Sequence, residues 1–92
     1  MEIGFDPAKR ARNPAKHGLD LADAGEVLER PCIDLLDDLI AHGEERWAST
    51  GKLGDLIVVC IWTERGEDEA RIISLRRATT HEQTDYLSEY FA

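Results

Sequence analysis

The side chains best suited to chemistry sit in the stretch Arg71-Ile-Ile-Ser-Leu-Arg-Arg-Ala-Thr-Thr-His-Glu-Gln, where Arg71, Arg76 and Arg77 precede any acid. Its first half reads as a strand, in which successive side chains alternate between faces. Strict alternation puts Arg71, Ile73, Leu75 and Arg77 on one side and Ile72, Ser74 and Arg76 on the other. Its second half starts a helix. Thr79 followed three residues later by Glu82 fits a capping box, in which hydroxyl and carboxylate satisfy each other's orphan backbone N–H groups. Three arginines at the end of a strand, beside a helix N-terminus that favours anions, suit a phosphate. The competing reading is a solvated surface of salt bridges to some of the nineteen acidic residues.

The elements that must position these residues follow from pattern and punctuation. Glu2 to Phe5 reads as a short strand or extended arm. Asp6-Pro7 opens a helix, with Asp6 as N-cap and proline at a tolerated first position. Asn13-Pro14 predicts a kink or a restart capped by Asn13, and the segment ends at Gly18. A second helix runs from Leu21 to about Glu29, its stripe formed by Leu21, Ala24, Val27 and Leu28, and Pro31 stops it. Strands follow at Cys32 to Leu36 and from Arg46, with Asp37 to Gly43 as a loop or ragged extension. Gly51-Lys52-Leu53-Gly54 reads as a hairpin connection. Leu56 to Thr63 is apolar on both faces and belongs in the middle of the sheet. Glu64 to Glu67 is the next turn. A final helix spans Thr80 to about Tyr90, where Tyr86 with Tyr90 and Leu87 with Phe91 offer neighbouring packing edges. The expected fold is a single α+β domain over residues 1–92: two N-terminal helices, an antiparallel sheet of about four strands and a C-terminal helix.

Composition narrows the function classes. A chain of 92 residues, 42% hydrophobic and 33% charged, is an ordinary globular domain with one core. The apolar run from Leu56 to Trp62 is too short to span a bilayer and no signal-peptide pattern opens the chain, so a cytoplasmic protein without membrane contact is expected. Cys32 and Cys60 are too isolated for a disulfide framework or a metal site, and both read as small buried hydrophobes. His17, His42 and His81 are scattered, so neither metal nor cofactor is expected. The net charge of −8 argues against non-specific nucleic-acid binding. Its distribution is uneven: residues 1–18 carry +2, residues 71–81 carry +3 and residues 20–46 carry −7. An acidic middle of this kind suits a basic protein partner.

Phe5-Asp6-Pro7-Ala8-Lys9, then Asn13, then Lys16-His17-Gly18 resemble the opening of BrnT-type toxins of bacterial type II toxin–antitoxin systems. Gly43-Glu44-Glu45-Arg46 resembles the central motif of that family. Val59 with Thr63-Glu64-Arg65-Gly66, and Arg71-Ile72-Ile73-Ser74 through Arg77-Ala78-Thr79 with Glu82 and Tyr86, resemble its C-terminal half. The pieces occur in the family's order over nearly the whole chain. Leu75-Arg76-Arg77, Pro14 and Trp47-Ala48-Ser49-Thr50 depart from the usual pattern. The resemblance implies a RelE-like fold, a metal-independent endoribonuclease and neutralisation by a BrnA-type antitoxin, through which alone DNA would be contacted.

Metal-free RNA cleavage requires activation of a 2′-hydroxyl, charge stabilisation on the phosphoryl oxygens and a proton for the departing 5′-oxygen. Arginine suits the second task, being always protonated and presenting a planar fork to phosphate. Arg46 and Arg76 match the family motifs and lie on strands that a meander can bring together; an ion pair with Glu44 or Glu45 is the competing role for Arg46. Histidine as a residue type titrates near working pH, and His17 is the candidate for proton transfer, or else a cation capping its helix. Lys16, Arg71 and Arg77 are candidates for RNA binding, Arg77 alternatively pairing with Glu82. Tyr86 and Trp47 could stack on bases, and His81 reads as a surface residue. The alternative to an active toxin is a catalytically inactive BrnT-like protein-binding module whose acidic middle docks a basic protein.

Overall fold

A computed structural model describes residues 2–36 and 45–91. The expected loop at Asp37 to Gly43, and Gly43-Glu44 of the central motif, lie outside the described residues. The order is β1 (Glu2–Phe5), α1 (Pro7–His17), a 3₁₀ turn (Leu21–Asp23), α2 (Ala24–Leu28), β2 (Ile33–Leu36), β3 (Trp47–Leu53), β4 (Leu56–Arg65), β5 (Glu69–Arg77) and α3 (Thr80–Phe91). None of the described helices is long and apolar enough to cross a membrane.

The sheet has five strands in the order β1-β5-β4-β3-β2. Four of them form the expected antiparallel meander. The fifth, β1, runs parallel to β5 with Glu2 opposite Glu69 and Phe5 opposite Ile72, so the sheet is mixed. The expectation of about four antiparallel strands is corrected on this point, because Ile3 and Phe5 need a partner strand to reach the core they pack against.

One face of the sheet carries the core. Val58, Cys60, Trp62, Ile72 and Leu75 meet Leu19, Leu21, Ala24 and Val27 there, nearly all of them fully buried. The second helix is therefore a 3₁₀ turn followed by a short α-helix, capped by Asp20, whose carboxylate accepts from Ala22 N–H at 3.0 Å. Gly51 belongs to this contact and not to a turn. It pairs with Val58 inside the ladder, and a Cβ there would stand 2.9 Å from Cys32 Sγ and 3.0 Å from Val27 Cγ1. The hairpin turn is instead Gly54-Asp55, with Leu53 opposite Leu56 and Gly54 at φ 59°.

Helix α1 runs through Pro14 without the expected break. Asn13 does not restart it. Its carboxamide is buried and holds the sheet, with Nδ2 donating to Leu19 O at 2.6 Å and to Leu75 O at 2.9 Å, and Oδ1 accepting from Leu75 N–H at 3.3 Å. The β1 ladder ends at Ile72, so this side chain supplies the strand partner that Leu75 lacks on that edge.

The opposite face is covered at one end by α3. Its buried residue is Tyr86, whose hydroxyl donates to Pro31 O, while Tyr90 bonds Cys32 O and Lys52 sits over the Phe91 ring at 4.9 Å. Leu87 and Phe91, expected to pack, are 43% and 61% exposed, because α3 turns only its Tyr86 edge inward. Cys60 is buried and Cys32 half-buried, and burial pushes their thiols up to about 12 and about 11. Neither is poised for thiolate chemistry.

Candidate active site

A β-bulge decides which side chains meet. Cys60 pairs with Leu75 and Ile61 with Ser74, but Trp62 pairs with Ile72, leaving Ile73 as an extra residue on β5. An inserted residue reverses the alternation beyond it. Ile72 and Leu75 consequently both face the core, which strict alternation forbids. The expected sharing of one side by Arg71 and Arg77 is overturned. Arg71, Ser74 and Arg76 now share the face away from the core, opposite Thr63, Ile61 and Val59. Arg71 and Arg76 each lie one two-residue step, about 7 Å, to either side of Ser74 as counted along β4. Arg77 pairs with Val58 on the other face and is exposed.

Helix α1 supplies the other wall. Lys9, Arg12, Asn13, Lys16 and His17 line a cleft of about 350 Å³ with Ile73 and Ser74 as its floor. Among the described residues no carboxylate lines it. The helix presents Lys16 and His17 at its C-terminal end, where Gly18 closes the last turn in the left-handed region at φ 73°. A cation there is also favoured by the helix dipole. The Asn13 clamp on Leu75 fixes the helix against β5 one residue beyond Ser74, and so sets the width of the cleft.

The structure thus brings His17 and Lys16 to Ser74, with Arg71 and Arg76 on the same strand face. It does not bring Arg46 to Arg76. Arg46 stands one residue before Trp47, which pairs with Trp62, and its neighbour Glu45 accepts from Thr63 Oγ1 at 2.8 Å. That places Arg46 in the row of Thr63 and Arg71, two strands, or about 10 Å, from Arg71. Arg76 is four residues further along β4, opposite Val59, so the two expected partners are not neighbours on the sheet. Tyr86 is 3% exposed, so its ring is not presented to a base. Trp47 stacks on Trp62 with centroids 6.4 Å apart, against the core. His81 is exposed beside Asp85.

Arg76 and not Arg77 takes Glu82. Its Nη1 and Nη2 donate to the carboxylate at 2.8 and 3.0 Å, while Glu82 also accepts from Thr79 N–H at 2.8 Å and Thr79 Oγ1 accepts from Glu82 N–H at 3.2 Å. The capping box and a bidentate ion pair therefore converge on one carboxylate. The Arg76 guanidinium holds Glu82 down to about 2. A carboxylate depressed on folding stabilises above its unfolded pKa of about 4.3 and loses that contribution as pH falls toward the folded value. Glu82→Gln is expected to lower Tm by about 4–8 °C at pH 7, as for a loss of about 1 kcal/mol. The difference from wild type should close between pH 4.5 and 2 in thermal melts; a gap independent of pH would show that the ion pair contributes nothing.

Sequence reasoning missed Lys9, Arg12, Asn13 and Ser74. The first three were legible as one helical stripe with Lys16 and His17, at three- and four-residue steps. Ser74 was not, since strand alternation assigns its face but not the helix that packs beside it.

With this geometry in view, the comparisons are decisive. A family model described as "Ribonuclease toxin, BrnT, of type II toxin-antitoxin system" matches residues 5–82. The chain belongs to the BrnT family. Among solved structures it is similar to the crystal structure of the Brucella abortus ribonuclease toxin BrnT, at 30% identity and a TM-score of 0.69, covering 87% of this chain and 99% of that one. No curated protein matches. The shared BrnT fold runs from β1 into α3, so the α1–β5 cleft lies wholly within the matched residues.

Proposed function

We propose that this BrnT-family chain is a metal-independent endoribonuclease that slows growth by cleaving RNA and inhibiting translation in the cytoplasm. A BrnA-type antitoxin neutralises it, and DNA is contacted only through that antitoxin. The observation that carries the reading is the cleft where Lys16 and His17 converge on Ser74, lined by no carboxylate among the described residues in a protein of net charge −8.

In the reaction the 2′-oxygen bonds to the adjacent phosphorus and the P–O5′ bond breaks. The 2′-hydroxyl loses its proton to a base, and the departing 5′-oxygen takes one from an acid. His17 performs proton transfer at one of these oxygens. Arg71 offers its fork to the non-bridging oxygens, on which charge develops, Arg76 does so by exchanging Glu82 for the phosphate, and Lys16 adds a point charge. Arg46 and Arg77 hold flanking backbone, Arg46 across the open face and Arg77 at the end of β5.

The test is purified protein on RNA with excess chelator, beside expression of the chain alone in a bacterium. Fragments ending in 2′,3′-cyclic phosphate and 5′-hydroxyl are expected, with growth arrest relieved by the co-expressed antitoxin. Intact RNA together with normal growth at a verified level of soluble protein would overturn the reading and favour the protein-binding module.

A further inference from the structure

Helix α1 carries more cation than the cleavage step uses. Lys9, Arg12 and Lys16 recur at steps that put side chains on one helical face, and all three line the cleft. Arg10, on the other flank, is neutralised by Asp20 at 2.9 Å. Among the described residues no carboxylate pairs with Lys9, Arg12 or Lys16. Like charges at three- and four-residue spacing repel one another, and among the described residues no ion pair offsets that repulsion although acid is abundant in the chain. Such an arrangement fits an anionic ligand better than a stabilising role.

Lys9 and Lys16 are seven residues apart, about 10.5 Å of helix rise. One phosphate group cannot bridge that gap, whereas one RNA strand laid along the helix can meet both ends. We propose that Lys9 and Arg12 form a second backbone subsite, holding a further phosphate of the strand whose scissile phosphate lies at Lys16, His17 and Ser74. The proposal rests on the ribonuclease reading and extends it to how the substrate is held. The subsite is indifferent to base sequence. Among the described residues the one carboxamide lining the cleft, Asn13, is committed to Leu19 and Leu75, and no aromatic ring besides the His17 imidazole lines it. Contacts of this kind set register and carry no sequence information.

The experiment measures binding of a single-stranded 2′-O-methyl RNA, which cannot be cleaved, across a range of salt concentrations. The proteins are wild type, Lys9→Gln/Arg12→Gln and the charge-keeping Lys9→Arg/Arg12→Lys. Losing the one phosphate neutralised there should flatten the slope of log K against log salt by about 0.7. The weakening should be equal for different base sequences, and the charge-keeping pair should retain the wild-type slope. On cleavable RNA the neutral pair should raise KM and leave kcat unchanged, with a Tm no lower than wild type. An unchanged slope, a loss confined to one base sequence, or weakened binding of the antitoxin alone would overturn the subsite while leaving the ribonuclease reading intact. Wild-type protein that cleaves RNA but binds the probe with no salt dependence would do the same. Wild type that neither binds nor cleaves RNA would overturn both.

Discussion

His17→Gln is expected to reduce RNA cleavage by roughly 100- to 10,000-fold, the range lost with a positioned general acid or base. The side chain is half-buried at the end of α1 and lines the cleft beside Lys16 and Ser74. Among the described residues its side chain has no hydrogen-bond or ion-pair partner, so the melt should stay within the roughly 0.5 kcal/mol typical of surface substitutions. Glutamine keeps a polar tip of similar reach but cannot carry a proton between oxygens. Initial rates on a defined RNA, with a thermal melt of the same preparation, separate the two effects. Cleavage at the wild-type rate would remove His17 from the chemistry and pass the proton-transfer role to Lys16.

The largest effect on stability is expected at Asn13. Asn13→Ala leaves the buried Leu75 N–H and C=O and the Leu19 C=O without their partner. Each buried group so stranded costs about 1–3 kcal/mol, so a loss of about 3 kcal/mol or more is anticipated. For a domain of this size that is roughly 12–24 °C in Tm. Asn13→Asp preserves the shape but sets a carboxylate against two carbonyl oxygens, and should be at least as damaging at neutral pH. Part of its loss should return in acid, where the protonated group donates again. A Tm within a degree or two of wild type for Asn13→Ala would show that α1 is held by other means.

What the sequence made legible was local. The box of Thr79 and Glu82, the cap at Asp6 and the doubly apolar β4 depend on residues within a few positions of one another, and each forms as expected. What it hid was tertiary. The extra residue at Ile73 exists only relative to the β4 ladder, so strict alternation gave β5 the wrong faces and split Arg71 from Arg76. Gly51 read as a turn because glycine usually marks one, whereas the close approach of Val27 and Cys32 demands it. Strand periodicity gives no partner or direction, hence the unforeseen parallel pairing of β1. The site followed the same division. Lys16 and His17 were visible as a basic helix end, but Ser74 and the Asn13 clamp depend on a contact spanning some sixty positions.

That span has a consequence for when the cleft comes into being during synthesis. Its walls are α1, which ends at His17, and β5, which is translated well after it and completed only at Arg77. The strand that anchors α1 from the other side, β1, also pairs with β5 and with nothing earlier. Contacts so distant along the chain form late, since the intervening loop must close before they return any stabilisation. A partial chain that stops short of β5 therefore carries a basic helix with no floor beneath it.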